Sequence, residues 1–151
     1  MKIDQVMILT RTATKDMSVR EFINECTRTN VPGLPFTTPS GRISGRVTLK
    51  NIFRLSCLPD YIIESARILT DQSWCMEDIE ANATEIMDKS VELFIQEPHL
   101  SLASDETALK ALALMEQSDT SYILVVDDGQ YRGVITIQSI ARALARIVRQ
   151  A

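Results

Sequence analysis

Two stretches of the chain carry the same order of apolar and polar positions. In the first, Ser18 stands just before the apolar positions, and Glu21 lies three residues after Ser18, the spacing of a capping box. A helix is therefore predicted to begin at Ser18. The second stretch begins at Asp105 and Thr107, and it is apolar at nearly every position from 108 to 115. A helix of that composition is predicted to be buried on more than one side. The apolar face of the first helix consists of Val19, Phe22, Ile23 and Cys26.

Each stretch continues with two strands joined by a turn, and it closes with a second helix. The run 122–126 is continuously apolar, as expected for a strand that is buried on both faces. A short extended piece precedes each first helix, so both stretches have the order β-α-β-β-α. The predicted pieces are the extended segments 10–14 and 99–103, the strand pairs 34–37 with 42–48 and 122–126 with 130–136, and the closing helices 49–58 and 137–149.

The glycines indicate that the two stretches are copies of one unit. Gly41 lies 88 residues before Gly129, and Thr48 lies 88 residues before Thr136. Upstream of the turns the offset is 89, so one residue is inserted in the first turn, where insertions are tolerated. The predicted fold class is α/β (α+β), with two β-α-β-β-α units related by a pseudo-two-fold axis and clefts between them.

The pattern divides the chain into three parts. Residues 1–58 form the first unit, 59–90 a linker with a helical segment, and 91–151 the second unit. Pro59 is placed to start the linker helix. Trp74 is predicted to pack the linker against the core rather than to stack on a ligand.

Composition and charge limit the function. Hydrophobic residues make up 45% and charged residues 24%, as in globular chains, and the net charge of −4 gives no general basic field for nucleic acid. No apolar stretch suits a bilayer span or a secretory signal, and three widely spaced cysteines fit reduced thiols. A cytoplasmic protein without membrane or nucleic-acid contact is therefore predicted.

Candidates for catalysis are few. His99 is the only histidine, so no metal site is predicted. Neither glycine pair fits a dinucleotide-binding or P-loop motif, and no nucleophile elbow is present, so the chain is not predicted to be an enzyme. Arg142, Arg146 and Arg149 are interpreted as favourable charges near a helix C-terminus.

The repeated motifs resemble a known family. The segments GRISGRVTLKNIFR and GQYRGVITIQSIAR each follow a helix start of the form D-x-[ST] and an apolar strand. In this order they resemble a tandem cystathionine-beta-synthase (CBS) domain pair, called a Bateman module, from about Thr10 to the C-terminus. Pro35 falls where the family has a proline before its buried strand, and Leu124 replaces it in the second unit.

The resemblance implies ligand binding rather than catalysis. CBS pairs bind AMP, ADP, ATP or S-adenosylmethionine between their units through the motif G-h-x-[ST]-x-x-D, whose hydroxyl contacts phosphate or ribose and whose acid contacts ribose. The matching positions are Thr48 and Asn51 in the first unit and Thr136 and Ser139 in the second, so neither unit has the acid. Arg46 stands where the family usually has an apolar residue.

The residues themselves favour the first unit as the binding site. Thr48 and Thr136 are each predicted to cap the helix that follows, beside free N–H groups that suit an anion. Asn51 can accept a ribose hydroxyl through its carbonyl oxygen, whereas Ser139 is shorter and offers less.

Two functions stay open. One is a sensor that needs no cofactor, binds an adenine nucleotide as a regulatory ligand and signals to an unknown protein partner. The other is a scaffold or dimerisation module whose nucleotide sites have decayed. A homodimer is predicted because Leu109, Leu112, Ala113 and Met115 cover more of their helix than one core face requires. The resemblance to CBS pairs, which commonly pack as dimers through their helices, implies the same.

Overall fold

The structure is a computed structural model that describes residues 1–68, 80, 82–97 and 100–150. Two β-hairpins, each flanked by helices, form its framework, and single turns of 3₁₀ helix lie at Ile3–Gln5, Ala66–Ile68 and Val91–Phe94. The helices and strands are α1 Val19–Thr29, β1 Gly33–Thr37, β2 Ile43–Thr48, α2 Leu49–Cys57, α3 Asp60–Glu64, α4 Ala83–Asp88, β3 Ser101–Leu102, α5 Ala108–Gln117, β4 Tyr122–Asp127, β5 Gln130–Thr136 and α6 Ile137–Gln150.

Both predicted hairpins are confirmed. Strand β1 pairs antiparallel with β2, with Gly33 opposite Thr48. Strand β4 pairs antiparallel with β5, with Tyr122 opposite Thr136. Equivalent residues of the repeat therefore face each other in both units, and the α+β fold class is confirmed.

The two extended pieces predicted before the first helices are formed to different extents. In the second unit, β3 pairs parallel with β4, and His99 lies outside the described residues. In the first unit only Ala13 bridges to β1. Its N–H donates to the Pro35 carbonyl at 2.9 Å, and its carbonyl accepts from Thr37 at 2.9 Å. The segment 10–14 is thus an extended crossing with a single bridge rather than a strand.

Both helix starts are capped by the predicted hydroxyls, although the Glu21 carboxylate accepts from the Ser18 hydroxyl at 3.3 Å rather than from its backbone N–H as in a full capping box. The Ser18 hydroxyl accepts the N–H of Glu21 at 3.1 Å, and the Thr107 hydroxyl accepts the N–H of Lys110 at 3.2 Å. Each contact satisfies one of the backbone donors that have no partner within the helix. The caps fix where α1 and α5 begin.

Each hairpin pairs at its outer strand with a segment that precedes the other unit in the chain. The N-terminal segment 1–8 lies on the second unit, where Ile8 and Val134 exchange backbone hydrogen bonds of 2.7 and 2.9 Å. In the same way, Gln96 lies on the first unit and exchanges bonds of 2.8 and 3.0 Å with Arg46. Because Gln96 follows Ile8 by 88 residues, the exchange obeys the repeat. We call 1–8 and 89–97 the crossing segments.

A glycine stands at each point where a crossing segment meets β2 or β5. A Cβ at Gly133 would lie 2.6 Å from the Ile8 carbonyl oxygen, and one at Gly45 would lie 2.6 Å from the Gln96 carbonyl oxygen. Real side chains do not approach backbone so closely. The second glycine of each pair is therefore required by backbone contact rather than by a turn.

The crossing segments supply core residues as well as backbone pairing. One core cluster contains Phe22 and Leu34 of the first unit together with Val91 and Phe94. The other contains Ile3 and Val6 with the inner side chains of β4 and β5. Each core therefore draws on residues that are distant in the chain.

Helix α5 is buried on one side only, contrary to the prediction. Ala108, Ala111 and Met115 face the core, while Leu109 is 76% exposed and Leu112 36% exposed. The helix lies across the sheet, so only one stripe of side chains reaches it. The surplus apolar residues face outward, and no other part of the described chain covers them.

The described part of the linker begins as predicted. Helix α3 starts directly after Pro59, and it buries Ile62. Trp74 lies outside the described residues, and the division of the chain at 58/59 and 90/91 stays a prediction. Among the helices that the structure describes, none is both long enough and apolar enough to cross a membrane.

Candidate functional site

A cavity of about 740 Å³ lies between the two units at the start of α2. We call it the Thr48 cavity. Small-molecule sites commonly enclose about 300–1,000 Å³, so a ligand of nucleotide size fits this volume. One wall comes from the first unit and the opposite wall from the segment that leads into β4. The cavity is lined by Pro32, Arg46, Thr48, Lys50, Asn51, Arg54, Leu58, Ile63, Gln96 and residues 118–122.

The two motif residues of the first unit line this cavity. The Thr48 hydroxyl accepts the backbone N–H of Asn51 at 3.1 Å, which confirms its capping role, and it donates to Oε1 of Gln96 at 3.3 Å. Asn51 Nδ2 donates to the Phe94 carbonyl at 3.2 Å. That bond orients the amide and leaves Oδ1 as an acceptor without a hydrogen-bond partner among the described residues.

Arg46 spans the cavity from one unit to the other. Its Nε donates to the Glu97 carbonyl at 3.1 Å, and its Nη1 donates to the hydroxyl of Tyr122 at 3.1 Å. Burial raises the pKa of Tyr122, and the neighbouring guanidinium of Arg46 opposes that rise only in part. The phenol is therefore neutral near pH 7 and accepts the bond from Arg46.

The cavity wall is predominantly cationic. Among the described residues that line it, Arg46, Lys50 and Arg54 are basic and Asp119 is the one acidic residue. Arg54 is paired with Asp60. Arg46 and Lys50 form no ion pair with any residue that the structure describes. Their charge is therefore available to a ligand.

The equivalent position in the second unit is closed. The Thr136 hydroxyl accepts the N–H of Ser139 at 2.9 Å, and Ser139 Oγ accepts the N–H of Thr136 at 3.1 Å and donates to its carbonyl at 2.9 Å. Both residues are buried. The neighbouring cavity, lined by Ser139, Ile8 and Arg142 among others, measures about 140 Å³, which is too small for a nucleotide.

The difference between the two halves has a residue-level cause. Val134 occupies the position of Arg46, is fully buried, and offers no polar group. Ile8 occupies the position of Gln96. Serine at 139 is short enough to bond back to the backbone of Thr136, whereas Asn51 reaches Phe94 instead. The four predicted residues thus lie at equivalent places, but only Thr48 and Asn51 border a cavity of ligand size.

The sequence analysis did not identify several residues of the cavity. Gln96 and Tyr122 were not expected there, because each comes from a part of the chain distant from Thr48. The offset of 88 carries a usable signal for Gln96, since it makes Gln96 the counterpart of Ile8. No local pattern marks Tyr122 as the partner of Arg46.

A second depression, of about 920 Å³, lies between the turns of the two hairpins. It is lined by turn residues and strand ends, with Arg42 and Asp128 as its charged groups. Opposite charges on exposed turns give it no net preference for an anion or a cation. The Thr48 cavity is therefore the better candidate site, although it is the smaller of the two.

Comparisons with known proteins agree with this architecture. Residues 83–146 match the family model of the CBS domain. A search of curated protein sequences found no match. The fold of the whole chain is similar to that of several solved structures.

Three of these structures show how far the likeness extends. The CBS-pair protein CBSX2 from Arabidopsis thaliana has a TM-score of 0.68 and 18% identity, covering 99% of this chain and 98% of that chain. CBSX2 in complex with AMP has a TM-score of 0.64 and 17% identity, covering 97% of each chain. The CBS domain of a CBS-domain-containing membrane protein from Sphaerobacter thermophilus has a TM-score of 0.66 and 18% identity, covering 93% of this chain and 86% of that chain.

At these identities the structures establish a shared fold, and the matched segment 83–146 contains the hairpin of the second unit. The first unit repeats that hairpin, its caps and its crossing segment. Residues 83–146 thus match the CBS domain, and the chain has the fold of a tandem CBS domain pair, the arrangement that its sequence resembles.

Proposed function

We propose that this chain is a regulatory module that senses an adenine nucleotide bound in the Thr48 cavity. The observation that carries the proposal is a cavity of about 740 Å³ between the units, with Thr48 and Asn51 on its wall. The likeness to CBSX2, whose structure was solved in complex with AMP, supports the same ligand class. The role assigned is binding, with the chemical signal passed on to a protein partner.

The residues of the cavity match the parts of such a ligand. Phosphate suits the backbone N–H of Lys50 at the positive start of α2 and the Thr48 hydroxyl, whose proton can turn from Gln96 to a ligand. The N–H groups of Leu49 and Asn51 already donate to the Pro32 carbonyl and the Thr48 hydroxyl. The free Oδ1 of Asn51 suits a ribose hydroxyl. Apolar side chains that line the same cavity, among them Leu58 and Ile63, offer surface for the base.

The position of the cavity supports the proposed signalling role. Its walls belong to both units, and Arg46 already bridges them by its bond to Tyr122. A ligand that contacts both walls stabilises one relative placement of the units over others. A partner that binds the same placement then responds to the nucleotide.

Replacing Thr48 by alanine is expected to weaken AMP and ATP binding about tenfold, because a hydrogen bond to a charged group contributes about 1.5–3 kcal/mol. Isothermal titration calorimetry measures the change. Thr136→Ala is the matched control, since it removes the same type of cap from the closed half. Each variant loses a cap worth about 1 kcal/mol of stability, so only the difference in binding reports on the site. Equal affinities in both variants would remove Thr48 from the site.

A second function, a homodimeric scaffold, has its own supporting observation. The helices α5 and α6 both expose apolar side chains that no described part of the chain covers. Exposed apolar side chains on two helices fit an interface, and a second copy of the chain is the partner proposed. The exposed residues are Leu109, Leu112, Leu144, Ile147 and Val148.

Light scattering at micromolar concentration is expected to give about twice the chain mass of 16.9 kDa. The double variant Leu109→Glu with Ile147→Glu should give the monomer mass, because it places two like charges on the face that must be buried. Leu9→Glu is the control, since Leu9 is exposed outside these helices. A wild-type mass equal to that of one chain contradicts the dimer and leaves the nucleotide proposal unaffected.

A further inference from the structure

Arg46 is fixed in the cavity by two hydrogen bonds that leave part of its guanidinium unused. The bonds to the Glu97 carbonyl and the Tyr122 hydroxyl, both of 3.1 Å, take one N–H from Nε and one from Nη1. The remaining N–H groups have no protein acceptor among the described residues. A planar guanidinium held in this way is preorganised for a phosphate, because it loses little rotamer freedom on binding.

The charges around Arg46 favour an anion. Lys50 lines the same cavity and is also unpaired within the described chain, while Arg54 is neutralised by Asp60. Asp119 is the carboxylate on the wall. The family's acid is replaced by the neutral Asn51, so the position that otherwise carries negative charge carries none. A ligand cation placed here meets a net positive wall, whereas each added phosphate gains from it.

The second unit has no arginine at the position equivalent to Arg46. Its counterpart of Arg46 is Val134, which is fully buried. The arginine is thus not required by the hairpin, since β5 forms the same pairing without it.

We propose that Arg46 is a specificity-determining residue that makes the Thr48 cavity select ligands by their phosphate groups. ATP and ADP bind more tightly than AMP, and adenosine and the cationic S-adenosylmethionine bind more weakly than all three. The inference rests on the proposed nucleotide site, and it adds the part of the ligand that the site recognises.

Calorimetric titration of the full chain with five adenine ligands and with inorganic triphosphate tests the proposal. The affinity is expected to fall from ATP to adenosine by about tenfold or more, the effect of losing at least one charge-assisted hydrogen bond. Raising the salt concentration should weaken ATP binding more than adenosine binding, because only the former depends on charge. S-adenosylmethionine bound as tightly as ATP overturns the proposal.

Arg46→Met keeps the length of the side chain and removes its charge. It should lower the affinity for ATP about tenfold and change the affinity for adenosine far less. The ratio of the ATP affinity to the adenosine affinity should therefore decrease. Arg42→Met is the matched control, since Arg42 is exposed at the hairpin turn outside this cavity. Lys50→Met, at an exposed position, repeats the test in a variant whose fold does not depend on the side chain.

The choice of ligands allows the phosphate selectivity and the proposed adenine-nucleotide site to fail separately. If adenosine binds as tightly as ATP, and Arg46→Met does not change the ratio of the two affinities, the phosphate selectivity is overturned. The proposal of an adenine site is then unaffected. Triphosphate that binds as tightly as ATP, through Arg46, overturns the adenine site and supports the selectivity. Absence of heat with every ligand overturns both.

Discussion

Replacing Ile3 by alanine is expected to lower the free energy of unfolding by about 2–5 kcal/mol, the range found when a buried aliphatic side chain is truncated. Such an effect is unusual so close to a chain terminus, where residues are commonly frayed. Ile3 is fully buried, however, and it belongs to the core cluster of the second unit. Its N–H also donates to the Glu106 carbonyl at 2.9 Å. The first residues of the chain therefore act as a core element of its second half.

Urea unfolding at pH 7, followed by circular dichroism, measures the loss. Leu9→Ala is the matched control, because Leu9 is 70% exposed and lies just beyond the same crossing segment. Its substitution should change the free energy of unfolding by about 0.5 kcal/mol or less. Similar small effects of both substitutions would show that the N-terminal crossing segment does not pack on the second unit in solution.

Local patterns predicted the hairpins and the helix starts because those features are determined by neighbouring residues. The first glycine of each pair, Gly41 or Gly129, lies in the turn at positive φ, and Ser18 and Thr107 accept the bonds that their positions before the helices predict. The crossing segments were missed because their pairing joins residues that are far apart in the chain. Ile3 gives no periodic signal of its own; only the offset of 88 that relates it to Val91 marks it as core.

The candidate site was predictable to the same extent. The motif located Thr48, Asn51, Thr136 and Ser139, and Asn51 favoured the first unit as an acceptor of a ribose hydroxyl, but the pattern did not predict that the second half is closed. That difference depends on side-chain bonding: Ser139 bonds to Thr136, whereas Asn51 bonds to Phe94. The bridge from Arg46 to Tyr122 depends on how the two units pack, which no motif within one unit encodes.

Among the charged residues, Glu25 is the one whose substitution is expected to lower the free energy of unfolding most. It is buried in α1, where its carboxylate accepts the Arg11 backbone N–H at 2.8 Å and two bonds from Nη2 of Arg28 at 2.7 and 2.8 Å. Glu25→Ala leaves the Arg11 N–H and the guanidinium without this acceptor. The free energy of unfolding at pH 7 should fall by about 3 kcal/mol, the lower end of the range for breaking a buried ion pair, since Arg28 itself stays solvated.

The same carboxylate predicts how stability depends on acid. Burial alone raises the pKa of Glu25, but the hydrogen bonds from Arg11 and Arg28 and their charges outweigh burial and hold this pKa below its ordinary value of 4.5. A lowered pKa in the folded state contributes stability above pH 4.5, and that contribution is lost as the pH falls through the folded-state value.

Urea unfolding between pH 7 and pH 3 should therefore show a steeper acid loss for the wild type than for Glu25→Gln, which keeps an oxygen acceptor for Arg11 but does not titrate. The two curves should approach each other at the acid end, because protonated Glu25 and glutamine are both neutral. Asp127, whose pKa is lowered by its bonds to Ser104, adds an acid loss that both proteins share, so the difference between them isolates Glu25. Glu116→Gln makes the same chemical change at an exposed position and serves as the control. A constant gap between the wild type and Glu25→Gln at every pH would show that Glu25 stabilises the fold by packing and hydrogen bonding without its charge.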